Sequence, residues 1–256
     1  MADLVTSLDA GVLTMLVDRE ERRNALSVDV LQGLLAALTA PPASARVVLL
    51  RTAGERVFCA GADLVVMAED ATGLEQHEGR GLLRRVVLAM RDCPLPVVAR
   101  VQGSVLAGGF ALALGCDLVV CSDAAQWWLP EVDRGLWPFM VSALLATHLS
   151  PKVALDLMLT GRRLSAGEAL ATGMVSRVVP AAALDEEVDA LVRRLAAAAP
   201  VAVRLGKQSW VAAQQTPLEP ALQALQAQLS LLTTTADARE GVRAFFDKRP
   251  PGWTGR

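Results

Sequence analysis

The sequence predicts an α/β fold in which a strand–elbow–helix unit recurs, and three observations carry that prediction. Two glycine-containing elbows echo each other: Phe58-Cys59-Ala60-Gly61-Ala62-Asp63 and Val105-Leu106-Ala107-Gly108-Gly109-Phe110. Each comes after an apolar run of β character, Arg46–Arg51 before the first and Pro96–Val101 before the second. Strand, elbow and helix return at a spacing of about 50 residues, which reads as a repeated ββα-like unit.

In chain order, Val12–Val17 reads as a strand. Ser27 is placed to cap a helix over Val28–Leu38, and Pro41-Pro42 breaks it. Val47–Arg51 resumes as strand, Leu82–Met90 is helical, and Pro94-Leu95-Pro96 introduces the next strand. After the second elbow, Phe110–Leu114 reads as a short helix and Leu118–Ser122 as a strand. Ser165-Ala166-Gly167-Glu168 has the capping-box pattern of a helix start, with the helix ending near Gly173 and Val175–Val179 as the strand beyond. Past about Pro180 helix signals dominate. Leu218, Leu222, Leu225, Leu229 and Leu232 repeat at heptad-like spacing, an apolar seam that needs a partner surface, in the same chain or in another subunit. A helical tail over Asp237–Lys248 ends in Arg249-Pro250-Pro251.

Composition narrows the function classes. With 256 residues and 53% hydrophobic content, the chain can bury a sizeable core. A net charge of −2 gives no overall drive toward nucleic acid or an anionic membrane. The four cysteines form no CxxC pair, and Met1–Leu8 already contains Asp3, so the expectation is a reduced cytoplasmic protein without a structural metal. The long uncharged runs Val101–Cys116 and Gly135–Pro151 are short of a membrane span and read as buried core. His77 and His148, the two histidines, have no GxSxG nucleophile to serve, and GxxxxGK[ST] and GxGxxG loops are absent.

The chemistry that remains is in the elbows and in one carboxylate. Small residues at a turn let backbone N–H groups face a ligand, and two converging elbows would aim two donors at one oxygen, as an oxyanion hole does. Taken singly, each is equally a tight turn that packs closely. Glu131 lies in Trp127-Trp128-Leu129-Pro130-Glu131-Val132, with Trp137 soon after. A carboxyl among such residues is partly desolvated, which raises its pKa toward general acid/base use. A cap or salt-bridge role for Glu131, and core roles for the tryptophans, fit the local pattern as well.

In this order and register, the residues resemble the enoyl-CoA hydratase/isomerase, or crotonase, family over nearly the whole chain. The resemblance is carried by Arg22-Arg23-Asn24-Ala25-Leu26-Ser27, the F-x-A-G-A-D elbow Phe58–Asp63, and Gly103–Gly109. It continues through Cys116-Asp117-Leu118, Leu129-Pro130-Glu131-Val132, Leu159-Thr160-Gly161-Arg162-Arg163 and Phe245-Phe246-Asp247-Lys248-Arg249-Pro250. It implies a crotonase-like spiral of ββα repeats over residues 1–195 and a C-terminal helical trimerisation region over 196–256. It also implies an acyl-CoA substrate, with coenzyme A as part of the substrate and no separate cofactor, in a homotrimer or hexamer. The thioester oxygen would lie between the amides of Ala60 and Gly108, with Glu131 as acid/base. The backbone of Ala60, Gly61, Ala62 and Asp63 would hold the adenine end of the coenzyme. Arg22, Arg23, Phe245 and Lys248 would reach it elsewhere, the last two across a subunit interface, while Trp128 and Trp137 would wall the acyl pocket.

Two departures bear on the reaction. The family's first glutamate maps to Ala111, which can neither bind nor activate water, and Glu20 stands where a proline is usual. The expected reaction is hydration of an enoyl-CoA or the reverse dehydration, with Δ3,Δ2-enoyl-CoA isomerisation as the alternative because one carboxylate suffices for it. A decarboxylase is disfavoured by the absence of tyrosine. A protein that binds coenzyme A without catalysis is the reading from a different class.

Overall fold

The computed structural model describes residues 3–63 and 73–256. Its strands are β1 (Leu4–Asp9), β2 (Val12–Val17), β3 (Val47–Thr52), β4 (Val57–Cys59), β5 (Val97–Val101), β6 (Ser104–Leu106), β7 (Leu118–Ser122), β8 (Gln126–Trp128), β9 (Leu164–Ser165) and β10 (Arg177–Val179). Its helices are α1 (Val28–Thr39), α2 (Gly73–Asp92), α3 (Gly108–Leu114), α4 (Phe139–His148), α5 (Pro151–Thr160), α6 (Ala166–Ala171), α7 (Leu184–Ala196), α8 (Pro200–Ala213), α9 (Leu218–Thr233) and α10 (Ala236–Asp247).

Two sheets share the strands. The larger runs β1-β2-β3-β5-β7-β10 and the smaller β4-β6-β8-β9. Successive pairs β3/β4, β5/β6 and β7/β8 therefore each give one strand to each sheet, which is the repeat expected from the sequence. The helices of the first two repeats also appear, as α2 and α3.

The central strands β3, β5 and β7 of the large sheet are buried on both faces, and so they read as unbroken apolar runs rather than alternating ones. In β3, Val48 and Leu50 enter the main core, whereas Val47 and Leu49 face a second cluster built with Val188, Leu191 and Val192 of α7. The period of two along a strand divides the residues between these two cores. Arg100 of β5 alternates between Ala99 and Val101 of the main core, and its guanidinium reaches Asp185 at the start of α7. The contacts are 2.7 and 3.0 Å, and Arg51 adds a third at 2.8 Å.

Capping agrees closely with the sequence pattern. The Ser27 side chain accepts from the Val30 N–H, and Ser165 and Glu168 form a complete capping box. Beyond α7, helix α8 is fastened to the core by Lys207, whose ammonium meets Asp117 at 2.6 Å and the carbonyls of Met90 and Leu95 at 3.0 Å each. The chain end is held by buried Asp237, which accepts from the Thr254 and Gly255 amides. Leu218, Leu222, Leu225 and Leu229 of α9 are exposed, so the described residues of their own chain leave the seam largely uncovered. No helix among the described residues is long and apolar enough to cross a membrane.

Several elements were not read from the sequence. The edge strand β1 pairs antiparallel with β2 through a turn at Ala10-Gly11, and helices α4 and α5 lie between Glu131 and the capping box. The short strands β4, β6, β8 and β9 were also missed.

The Arg100 hydrogen bond holds the Asp185 carboxyl below its usual range, with burial opposing it. A depressed folded pKa contributes stability above the unfolded pKa and loses it as pH falls through the folded one. Asp185→Asn is expected to cost about 1–2 kcal/mol at pH 7, since Asp185 is itself largely exposed. Urea denaturation should show this deficit shrink in acid.

Candidate active site

Strands β4, β6 and β8 pair in parallel, with Cys59 opposite Val105 and Leu106 opposite Trp128. Their C-terminal ends therefore leave the sheet at one edge, about 4.8 Å apart from strand to strand. Three segments line that edge: the first elbow after β4, the second elbow and α3 after β6, and Glu131 after β8.

The elbows touch. A Cβ on Gly61 would come within 2.8 Å of the Ala107 Cβ and 2.9 Å of the Gly108 nitrogen. A Cβ on Gly109 would lie 2.6 Å from the Cys59 carbonyl oxygen. Glycine at these positions is thus a requirement of close approach, and Gly61 also has φ +91°. Ala107, at the turn into α3, has φ +49° and ψ −125°. A residue with a side chain held there stores about 1–3 kcal/mol, a cost that sits beside the candidate site.

The expected donor pair needs one correction. The Ala60 N–H donates to the Arg23 carbonyl at 3.1 Å and is not free. One residue on, the Gly61 carbonyl accepts from the Leu26 N–H at 2.8 Å, and the Asp63 N–H donates to the Leu26 carbonyl at 3.2 Å. In a trans peptide, the N–H of Ala62 points opposite to the carbonyl of Gly61. Because that carbonyl faces the 19–26 loop, the Ala62 amide faces away from it. The amides of Ala62 and Gly108 have no hydrogen-bond partner among the described residues. Among the described residues the free donors are therefore Ala62 on the first elbow and Gly108 and Gly109 on the second, and the Gly108 nitrogen is the one that lies against Gly61. In a regular strand Ala60 and Ala62 would point the same way, and the left-handed Gly61 between them breaks that alternation. The positive φ that its glycine permits was the available sequence signal.

Glu131 comes directly after buried Leu129 and Pro130 and opens a single 3-10 turn, Val132–Arg134. Its carbonyl accepts from Arg134 and Leu136, both at 2.9 Å, which fixes its backbone. Its side chain is half-buried, and the buried Oε2 has no hydrogen-bond partner among the described residues. Burial pushes the carboxyl above its ordinary pKa, with its own amide and Arg134 offsetting part of the shift. That is a carboxyl prepared to hold and release a proton.

A profile of the enoyl-CoA hydratase/isomerase family matches residues 7–256. The chain belongs to this family. A Thermus thermophilus protein provisionally named an enoyl-CoA hydratase is 38% identical over 245 residues, 94% of this chain and 96% of that one. A carnitinyl-CoA dehydratase of Proteus mirabilis is 35% identical over 218 residues, 83% of each chain. Among solved structures, the enoyl-CoA hydratase of Mycobacterium smegmatis matches with a TM-score of 0.93 and 33% identity, covering 98% of both chains. The crotonase-like α/β fold is thereby shown, and with it an enzyme of the hydratase/isomerase family.

The other expected site residues fall into three groups. Gly61, Ala62, Asp63, Gly108 and Glu131 are brought to the one sheet edge. Trp128 and Trp137 are half-buried, Trp137 against the main core and Trp128 with the Arg163 guanidinium 4.4 Å from its ring centroid. Trp127 is wholly core, edge-to-face with Phe110 at 5.4 Å between centroids. Arg22, Arg23, Phe245 and Lys248 have exposed side chains, and among the described residues Arg23 meets the edge through its carbonyl, which accepts from the Ala60 N–H. Arg23 does line a cavity of about 290 Å³ with Glu20, Asn24, Arg56 and Val57. Another cavity lies between α8 and α9, and neither cavity includes Gly108 or Glu131 in its lining. Ala111 lies fully buried in α3.

Two residues with clear structural claims were missed. Asn24 is buried at φ +54°, and its amide donates to the carbonyls of Ala53 and Val57 at 2.9 Å each. Arg19 is buried beside Asp63. Arg19 is the early arginine before Glu20, the position where the family usually has proline, but an arginine just past the end of a strand carries no local mark of burial.

A folded-state pKa raised above the unfolded value means that stability is present at low pH and is lost as pH rises through the folded pKa. Ionised Glu131 thus costs stability at neutrality. Glu131→Gln should melt at a higher temperature than the parent at pH 7.5, with the two converging near pH 4.

Proposed function

We propose that this family member is an enoyl-CoA hydratase, or the reverse dehydratase, that stabilises a thioester enolate between the Ala62 and Gly108 amides and uses Glu131 as its acid/base. The observation that carries this reading is that one sheet edge bears two amides and a desolvated carboxyl oxygen that have no partners among the described residues. In the dehydration direction, Glu131 takes the proton from C2 and the charge moves onto the thioester oxygen. The two amides meet that charge, and as it returns to form the C2=C3 bond the C3–O bond breaks, the departing hydroxide taking the proton held by Glu131 to leave as water. Hydration runs the same steps backward. Each amide contributes about 3–4 kcal/mol to the barrier reduction. The names of the Thermus and Proteus relatives support the lyase direction.

The second reading is Δ3,Δ2-enoyl-CoA isomerisation. The observation favouring it is Ala111, a buried methyl where a second carboxylate would hold water. An isomerase needs one base that carries a proton between C2 and C4, and Glu131 alone meets that need.

Coenzyme A belongs to the substrate in both readings. Arg22 and Arg23 offer exposed positive charge to its phosphates, near the loop that pairs with the first elbow. A homotrimer, or a hexamer of two trimers, covers the α9 seam and the exposed Phe245 and Phe246, which are 78% and 76% accessible in one chain. That assembly brings Phe245 and Lys248 to the coenzyme of a neighbouring subunit. The cytoplasm is the proposed compartment.

Mass analysis of product from 2-enoyl-CoA and 3-enoyl-CoA separates the readings. A gain of water from the 2-enoyl substrate is expected, and a mass-neutral shift from the 3-enoyl substrate would establish the isomerase instead. Glu131→Gln should lose at least about 100-fold in kcat. Full retention would remove Glu131 from the chemistry. Sedimentation equilibrium should return three or six chains per particle, and a stable monomer would refute the proposed assembly.

A further inference from the structure

We propose that Arg19 is a positioning residue of the active site, holding the Ala62 amide on the reacting oxygen through its ion pair with Asp63. The inference rests on the oxyanion reading and adds to it a residue that touches neither substrate nor donor. Arg19 stands at the end of β2, with its side chain 11% exposed, and its Nη2 meets the Asp63 Oδ2 at 3.1 Å. Asp63 is the next residue after Ala62, and its side chain is 10% exposed. The Arg19 Nη1 also donates to the Ala25 carbonyl, so one guanidinium joins the elbow to the 19–26 loop. Asp3 lies 2.7 Å from Nε, close enough for charge pairing though off the N–H axis.

The backbone of Arg19 belongs to the same fastening. Its N–H donates to Asn24 Oδ1 at 3.2 Å, and its carbonyl accepts from Asn24 at 2.8 Å and Arg22 at 2.9 Å. The loop thus closed supplies the Arg23 carbonyl to Ala60, and both polar groups of Leu26 to Gly61 and Asp63. Asp63 is consequently held twice, by Leu26 at its main chain and by Arg19 at its side chain. The peptide between Gly61 and Ala62 is the point that has to stay fixed. If it rotates, the Ala62 N–H turns off the oxygen while the rest of the fold is unchanged. A charge pair with both side chains about nine-tenths buried resists such rotation, because parting it would weaken the pairing of two poorly hydrated charges.

The prediction separates geometry from stability. An oxyanion donor acts on the transition state, so displacing it lowers kcat and leaves KM near its original value. Arg19→Gln and, separately, Asp63→Asn should each lower kcat about 10- to 100-fold with KM within about threefold, when assayed well below their melting temperatures. The double variant should lose no more than the worse single one, since both break the same pair. Infrared difference spectra of a bound 2-enoyl-CoA labelled with ¹³C at the thioester carbonyl give a second readout. Hydrogen bonding in the wild type lowers the carbonyl stretch, and both variants should move it back toward its value in solution. If the wild type shows no such lowering, the oxyanion reading itself fails. If it does, and the folded variants keep both its frequency and its kcat while only their melting points fall, Arg19 is structural and the inference is overturned. Should Arg19→Gln fail to fold, Asp63→Asn, which keeps the side-chain shape, decides the question alone.

Discussion

The parallel pairing of β4, β6 and β8 is the constraint on which the rest of the candidate site depends. Each is a strand of three residues, too short to be stable by itself. They persist because each is joined within a few residues to a longer buried strand of the large sheet. The parallel sense then matters more than the length. It brings three chain ends to one edge, and residues about 70 positions apart in sequence become neighbours at the spacing of adjacent strands. Antiparallel pairing would have sent the middle elbow to the far side. The close approach of the elbows, with no room for a Cβ on Gly61 or Gly109, tightens the same arrangement.

Much of this was legible in the sequence, for identifiable reasons. Strands buried on both faces leave runs such as Val47–Leu50, and caps such as Ser27 and Ser165 act through local hydrogen bonds, so both are visible in a few residues. The short strands of the small sheet were not legible. Gln126-Trp127-Trp128 or Ser104-Val105-Leu106 hold their form through neighbours distant in sequence, and nothing local distinguishes them from loop. The same distinction explains the site. The elbows and Glu131 were found because composition marks them, through glycine in one case and apolar flanks in the other. Which amide of the first elbow is free could not be found that way. Ala60 and Ala62 are chemically identical, and the choice between them is made by the Arg23 carbonyl on one side and the Leu26 N–H on the other.

The burial of Ala111 bears on how water could be handled. A carboxylate there would need both space and a polar route out of α3, yet the position is closed and lies among Phe110, Leu112 and other core side chains. Helix α3 is accordingly packed as a support for the Gly108 amide and contributes no second acid or base. Among the described residues at this edge, Glu131 is the carboxyl with a buried oxygen lacking a partner, and in the proposed reaction the chemistry is organised around it. That feature separates the readings of the reaction by what each asks of a second polar group.

The site is also a place where the fold gives up stability. Glu131 is desolvated, Ala107 sits at a positive φ, and among the described residues one Glu131 oxygen and the amides of Ala62 and Gly108 have no partners. Each would be favoured energetically in some other conformation. They are held by contacts elsewhere that a short segment could not supply: Arg100 with Asp185, Lys207 with Asp117, and Arg19 with Asp63. The last differs from the other two in its reach. Arg100 and Lys207 fasten helices to the core, whereas Arg19 grips the residue next to an amide that has no partner among the described residues. An ion pair so placed restrains a single peptide plane, and the direction of that plane decides whether a donor faces the reacting oxygen or the protein interior.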